Sequence, residues 1–257
     1  MKISLTPRFN SMLAFILAGM LATTAHEAAH FVMALALHEK PTMYPIFVNL
    51  VDSVSPSHLM LIAATGPLFS LSSGLLIIVF TRTWAGGFAR LCWLWCGFLS
   101  AQIGFGYFFA AVISQTGDTG YVLAALHAPW YVFALVFLLG AAGSWVILPH
   151  LFARRVSPLV PDKQAFNQVG MSPWLLGTGV LLVIYFVIGQ VITPGTIDPF
   201  GLLAVLTIGI FTPIANFDAT MARRPHGLAF SSPRAGMALT VVVALGLIFG
   251  LAHGLSW

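Results

Sequence analysis

Charge is what this chain has least of: 7% of its 257 residues are Asp, Glu, Lys or Arg, against about 25% in an ordinary soluble domain. With 59% hydrophobic residues and a mean hydropathy of +0.95, that scarcity excludes a soluble globular protein. The formal net charge of +4 comes from 11 Lys and Arg scattered over short loops, so nucleic acid is not implied as a partner. Cysteine is scarce as well. Cys92 and Cys96, the only two, stand four apart in Leu91-Cys92-Trp93-Leu94-Trp95-Cys96, on one face of a helix. This excludes a secreted disulfide scaffold, and with no histidine nearby the pair reads as small buried packing residues. Long internal repeats, low-complexity tracts and a soluble domain are also missing from the sequence.

What is there is a series of apolar runs. In hydrocarbon the backbone must satisfy its hydrogen bonds within one segment or in a closed barrel, and runs without strict alternation choose helices. A span needs about 20 apolar residues. The sequence therefore predicts an all-α polytopic membrane protein with seven transmembrane helices, at about 10–37, 58–81, 88–115, 129–152, 173–193, 200–221 and 236–256. The first run is too long, and too polar at His26, Glu27 and His30, for a cleavable signal peptide. Between the first two spans, His38 to Ser57 holds Glu39, Lys40, Asp52 and three prolines; its middle, Tyr44 to Val51, is β-prone and predicts a short extended segment near the membrane surface.

Positive charge sorts by side on this map. Lys2 and Arg8, Arg82 and Arg90, Arg154, Arg155 and Lys163, and Arg223, Arg224 and Arg234 all fall on one face, and Lys40 alone on the other. The positive-inside rule then puts the N-terminus in the cytoplasm of a bacterial-type cell membrane.

One of the two glutamates lies in mid-span, in Thr23-Thr24-Ala25-His26-Glu27-Ala28-Ala29-His30-Phe31. His26 and His30 are one helical turn apart and share a face, so both imidazoles reach one cation with Glu27 beside it. A bland reading makes the histidines neutral core residues and Glu27 protonated, but it buries three costly groups in lipid without recompense. In the zinc reading the metal needs a third protein ligand and an open position for water. Zinc lowers the water's pKa, and Glu27 takes its proton and passes it to the leaving amine. Asp162 and Asp218 belong to the inner side, whereas the histidines are displaced outward. Glu39, Asp52, Asp118 and Asp198 stay open as third ligands, and Asp118, which continues a long helix parallel to the first, is preferred.

Three stretches resemble the site-2-protease class of intramembrane zinc metalloproteases: His26-Glu27-Ala28-Ala29-His30; Ala63-Ala64-Thr65-Gly66-Pro67-Leu68-Phe69-Ser70, with Ser70 where asparagine is usual; and Gly117-Asp118-Thr119-Gly120-Tyr121-Val122-Leu123. The third departs from the family's Leu-Asp-Gly-Gly at Gly117 and Thr119, and the usual Asn-x-x-Pro before the aspartate is absent. The resemblance covers about residues 10–128. It implies a three-helix catalytic membrane core over 1–128, additional helices of no assigned role over 129–257, Zn2+ held by His26, His30 and Asp118, and Glu27 as base and then acid. The substrate would be a membrane-embedded or juxtamembrane protein or peptide in the lipid bilayer. Substrate contacts are expected from Gln102, standing in for the family's asparagine or else bonding two helices, and from the extended segment at Tyr44, Val48 and Val51, which could hold an unwound peptide by edge pairing. Family members run this helix toward the cytoplasm, opposite to the direction the charges give. Two competing classes are a non-proteolytic scaffold or binding protein and a transporter, the latter suggested by Gly66-Pro67 and Thr212-Pro213. Among the remaining histidines, His38 and His58 stand close enough in sequence to supply a replacement ligand.

Overall fold

The computed structural model describes residues 5–50, 54–80, 87–112, 117–192, 216–218, 234–251 and 253–256. The chain is mostly helical, and six of its described helical runs are long and apolar enough to cross a membrane, as a multi-pass membrane protein requires. In order these are α1 (Leu5–Ala36), α2 (Pro56–Phe80), α3 (Gly87–Ala110), the run Trp130–Leu159, the run Lys163–Gly189 and the last helix, Arg234–Leu251. Between α3 and the fourth run lies short α4 (Asp118–Ala125). The fourth run is α5 (Trp130–Ala142), a π turn at Gly143–Ile147, α6 (Leu148–Val156) and a 3-10 turn. The fifth is α7 (Lys163–Val169) followed by α8 (Met171–Ile192), and Arg234–Leu251 is α9. The predicted span at 200–221, apart from residues 216–218, lies outside the described residues, as do Thr212-Pro213, Asp52 and Asp198.

Helices α1, α2 and α3 pack on one another, and the closeness of α2 to α3 follows from a missing side chain. A Cβ on Gly74 would meet the Ala101 backbone; small residues at such crossings let backbones approach in lipid, where dispersion contacts replace the hydrophobic drive. Below this contact an aromatic core forms around Trp95. Its ring meets Phe15 edge-on at 4.9 Å and Phe152 at 5.1 Å. Its indole N–H donates to Ser11 Oγ at 2.9 Å, and Ser11 donates to the Val169 carbonyl at 2.6 Å. Arg8, Arg90, Arg154, Arg155, Lys163 and Arg234 sit within a few residues of these contacts, at one end of the bundle, with Lys40 at the other.

Two helices of the second half run parallel to α1. Gly177, Leu181 and Tyr185 of α8 meet Phe15, Gly19 and Thr23 in ascending order. Helix α9 starts beside Phe88 and Leu13 and leads to a strand at the opposite end.

That strand, β3 (Leu255–Ser256), completes a small sheet of order β2-β1-β3 with β1 (Pro41–Met43) and β2 (Val48–Leu50). The expected single extended segment from Tyr44 to Val51 is corrected to a hairpin. Tyr44 donates its N–H to the Phe47 carbonyl at 2.9 Å, and Pro45, whose fixed φ suits the first position of a turn, reverses the chain. Only Val48–Leu50 of that stretch is strand, paired Met43↔Val48 and Pro41↔Leu50; Val51 lies outside the described residues.

His38 and His127 have positive φ, 61° and 50°. Each ends a helix with the N–H of the following residue reaching back five positions, Glu39 to Ala34 at 3.0 Å and Ala128 to Leu123 at 2.9 Å. This is the left-handed cap that glycine usually provides.

Candidate metal centre

The centre is built from the helical repeat of α1. His26 and His30 fall on one face, their rings edge to face with centroids 4.7 Å apart, and both are buried, as is Glu27. Helix α2 presses on this face because Gly66 has no side chain: a Cβ there would stand 2.8 Å from His26 Cε1 and closer still to the His30 ring. Next to it, Pro67 has no N–H to offer the Ala63 carbonyl and its ring crowds that turn of α2. In the same turn the Ile62 carbonyl accepts from His30 Nδ1 at 2.7 Å. One turn further on, Ser70 Oγ is 3.0 Å from His26 Nδ1. Asp118, the first residue of α4, closes the third side, its Oδ2 standing 3.1 Å from Nε2 of both histidines.

The donor set fits a metal. A carbonyl can only accept, so His30 Nδ1 carries the proton and, in the neutral ring, Nε2 carries a lone pair. That lone pair faces Asp118 Oδ2 and His26 Nε2, each at 3.1 Å, and electron-rich atoms this close need positive charge among them. The three atoms form a triangle of side 3.1 Å. Its corners lie about 1.8 Å from its centre, so His26, His30 and Asp118 would together hold an ion at zinc bond lengths of about 2.0–2.2 Å. Ring N–H groups anchored on a carbonyl or hydroxyl are the usual support of metal-bound histidines.

Glu27 follows His26 on α1 and lies in the field of His26, His30 and Asp118. Among the described residues its carboxylate has no hydrogen-bond partner. Tyr107 of α3 stacks on His26, centroids 4.9 Å apart and planes 13° from parallel.

Other residues singled out in the sequence stand elsewhere. Gln102 is buried and its Nε2 donates to Ser144 Oγ at 3.1 Å, so it joins α3 to the π turn. Tyr44 stacks on Phe47 at 4.5 Å in the hairpin turn, and Val48 is in β2. The turn still adjoins the centre: Pro45 O is 3.5 Å from Thr24 Oγ1, two residues before His26. Glu39 is paired with His58 Nδ1 at 2.7 Å, and Asp162 caps α7 through the Ala165 N–H. Among the described residues the only cluster of three metal-ligating side chains is His26, His30 and Asp118. The supports from Ile62, Ser70 and Tyr107 went unassigned in the sequence, although Ser70 carried a signal, since it stands at a named position of the second motif.

No family model, curated protein or solved structure matches the chain. The functional reading therefore rests on the site itself.

Proposed function

We propose that this chain is an intramembrane zinc endopeptidase of the site-2-protease kind, cutting peptide bonds of a membrane-embedded or juxtamembrane protein. The observation that carries the reading is the meeting of two imidazole nitrogens and one carboxylate oxygen, 3.1 Å apart pairwise, from positions 26, 30 and 118. Glu27 lies beside them. Zinc bound there would supply Lewis acidity, acidifying the attacking water and polarising the scissile carbonyl. The chain's own residues do the rest. The Glu27 carboxylate takes the water proton as the new carbon–oxygen bond forms, then gives it to the amide nitrogen as the carbon–nitrogen bond breaks. Ser70 and the Ile62 carbonyl hold the rings in the orientation that presents both Nε2 atoms. A substrate must be unwound to expose its carbonyl, and β2 offers an edge on which an extended segment could be held.

In this reading the protein is a multi-pass resident of a bacterial-type cell membrane with a cytoplasmic N-terminus, a catalytic core over 1–128 and seven spans. The test is Glu27→Gln in the full chain. Bound zinc should stay near one per chain while cleavage of a co-expressed membrane substrate ceases; cleavage at the wild-type rate would end the mechanism. A wild-type protein that holds zinc yet cleaves nothing would favour the scaffold reading.

A further inference from the structure

Two tyrosines approach the centre, and their hydroxyls differ in what they have to do. Tyr185 of α8 is buried, and its hydroxyl lies 3.1 Å from the Gly19 carbonyl and 2.9 Å from Thr23 Oγ1. It is fully committed. Tyr107 has its ring against His26 and the Gly117 backbone along its Cδ1–Cε1 edge, and it lies in the field of both the Asp118 and Glu27 carboxylates. Among the described residues its hydroxyl has no hydrogen-bond partner. A phenol is an O–H donor at neutral pH, and a phenol whose ring lies on one of the donor histidines stands where a developing oxyanion could be met by its O–H.

We propose that Tyr107 is a further catalytic residue, its hydroxyl donating to the carbonyl oxygen of the scissile bond as that oxygen becomes negative. The inference rests on the peptidase reading. When water adds to the carbonyl carbon, its proton goes to Glu27 and the C=O π pair moves to oxygen, where the Tyr107 O–H meets it. On collapse the pair returns to re-form C=O, the C–N bond breaks, and the nitrogen takes its proton from Glu27. The Tyr107 proton stays on Tyr107 throughout. Stacking and donation divide cleanly between ring and hydroxyl, so phenylalanine keeps the first and removes the second.

The experiment compares wild type, Tyr107→Phe and Glu27→Gln as full-length, zinc-loaded proteins. It measures zinc content, kcat and KM on a transmembrane peptide, and affinity for a peptide phosphonate, whose tetrahedral phosphorus mimics the intermediate. Tyr107→Phe should keep its zinc and its KM within about twofold, lose on the order of 10²-fold in kcat, and lose phosphonate affinity by a similar factor. An unchanged kcat, an unchanged phosphonate affinity, or a loss of zinc in Tyr107→Phe overturns the assignment and leaves the ring as a support for His26. A wild type without Glu27-dependent cleavage removes the peptidase reading and this inference with it. A wild type that cleaves through Glu27, alongside an unimpaired Tyr107→Phe, removes this inference alone.

Discussion

At the scale of single residues, the side chains that would supply donors in the proposed centre are separable from those that aim them, and mutation should separate them too. Asp118→Ala removes one of three donors and should leave the purified protein without stoichiometric zinc, read by metal analysis. Ser70→Ala removes only the hydroxyl that steadies the His26 ring, and the expected loss is about 10–100-fold in zinc affinity, measured by competition with a chelator of known strength. Gly66→Ala should be as damaging as the loss of a ligand, because its methyl would fall on the His30 and His26 rings. This division tracks what was legible in the sequence. His26, Glu27 and His30 could be read because helical spacing alone sets their relation, and Asp118 was favoured by its depth in the span map. The Ile62 carbonyl could not be read, since every residue has one. Nor could Tyr107, one aromatic among the 13% that are aromatic in this chain, distinguished only by what it stacks on.

At the scale of elements, the apolar runs specified the helices well, because a lipid-buried backbone has few alternatives to a helix. What they did not specify was irregularity. The π turn at Gly143–Ile147 and the small sheet depend on packing partners far away in sequence, such as Phe105 against Gly143 and Leu255 against Met43. Helix ends offer a test that does not touch the centre. His38 and His127 occupy left-handed caps in which a β-carbon costs roughly 1–2 kcal/mol. His38→Gly and His127→Gly should each stabilise the protein by about 1 kcal/mol, seen as a higher unfolding midpoint in detergent with zinc content unchanged. A loss of zinc in His38→Gly would show that this histidine has work beyond its cap.

At the scale of the whole molecule, the candidate centre is assembled from four helices, α1 to α4, and its first and last donors are 92 positions apart in the chain. Binding energy at such a site is also folding energy. Stripping the metal should therefore lower the unfolding temperature, by an amount that grows with free zinc restored to the wild type and is absent in Asp118→Ala. Among the described residues the second half contributes no donor, yet α8 holds α1 through Tyr185 at Gly19 and Thr23, within the two turns that precede His26. One residue of an α-helix is about 100° of rotation, so a twist of α1 by a single position would swing both imidazoles away from Asp118. A phenol bridging a backbone carbonyl and a threonine hydroxyl on that helix fixes its azimuth. Through Tyr185, the second half thus serves as the indexing pin for the helix that carries His26 and His30.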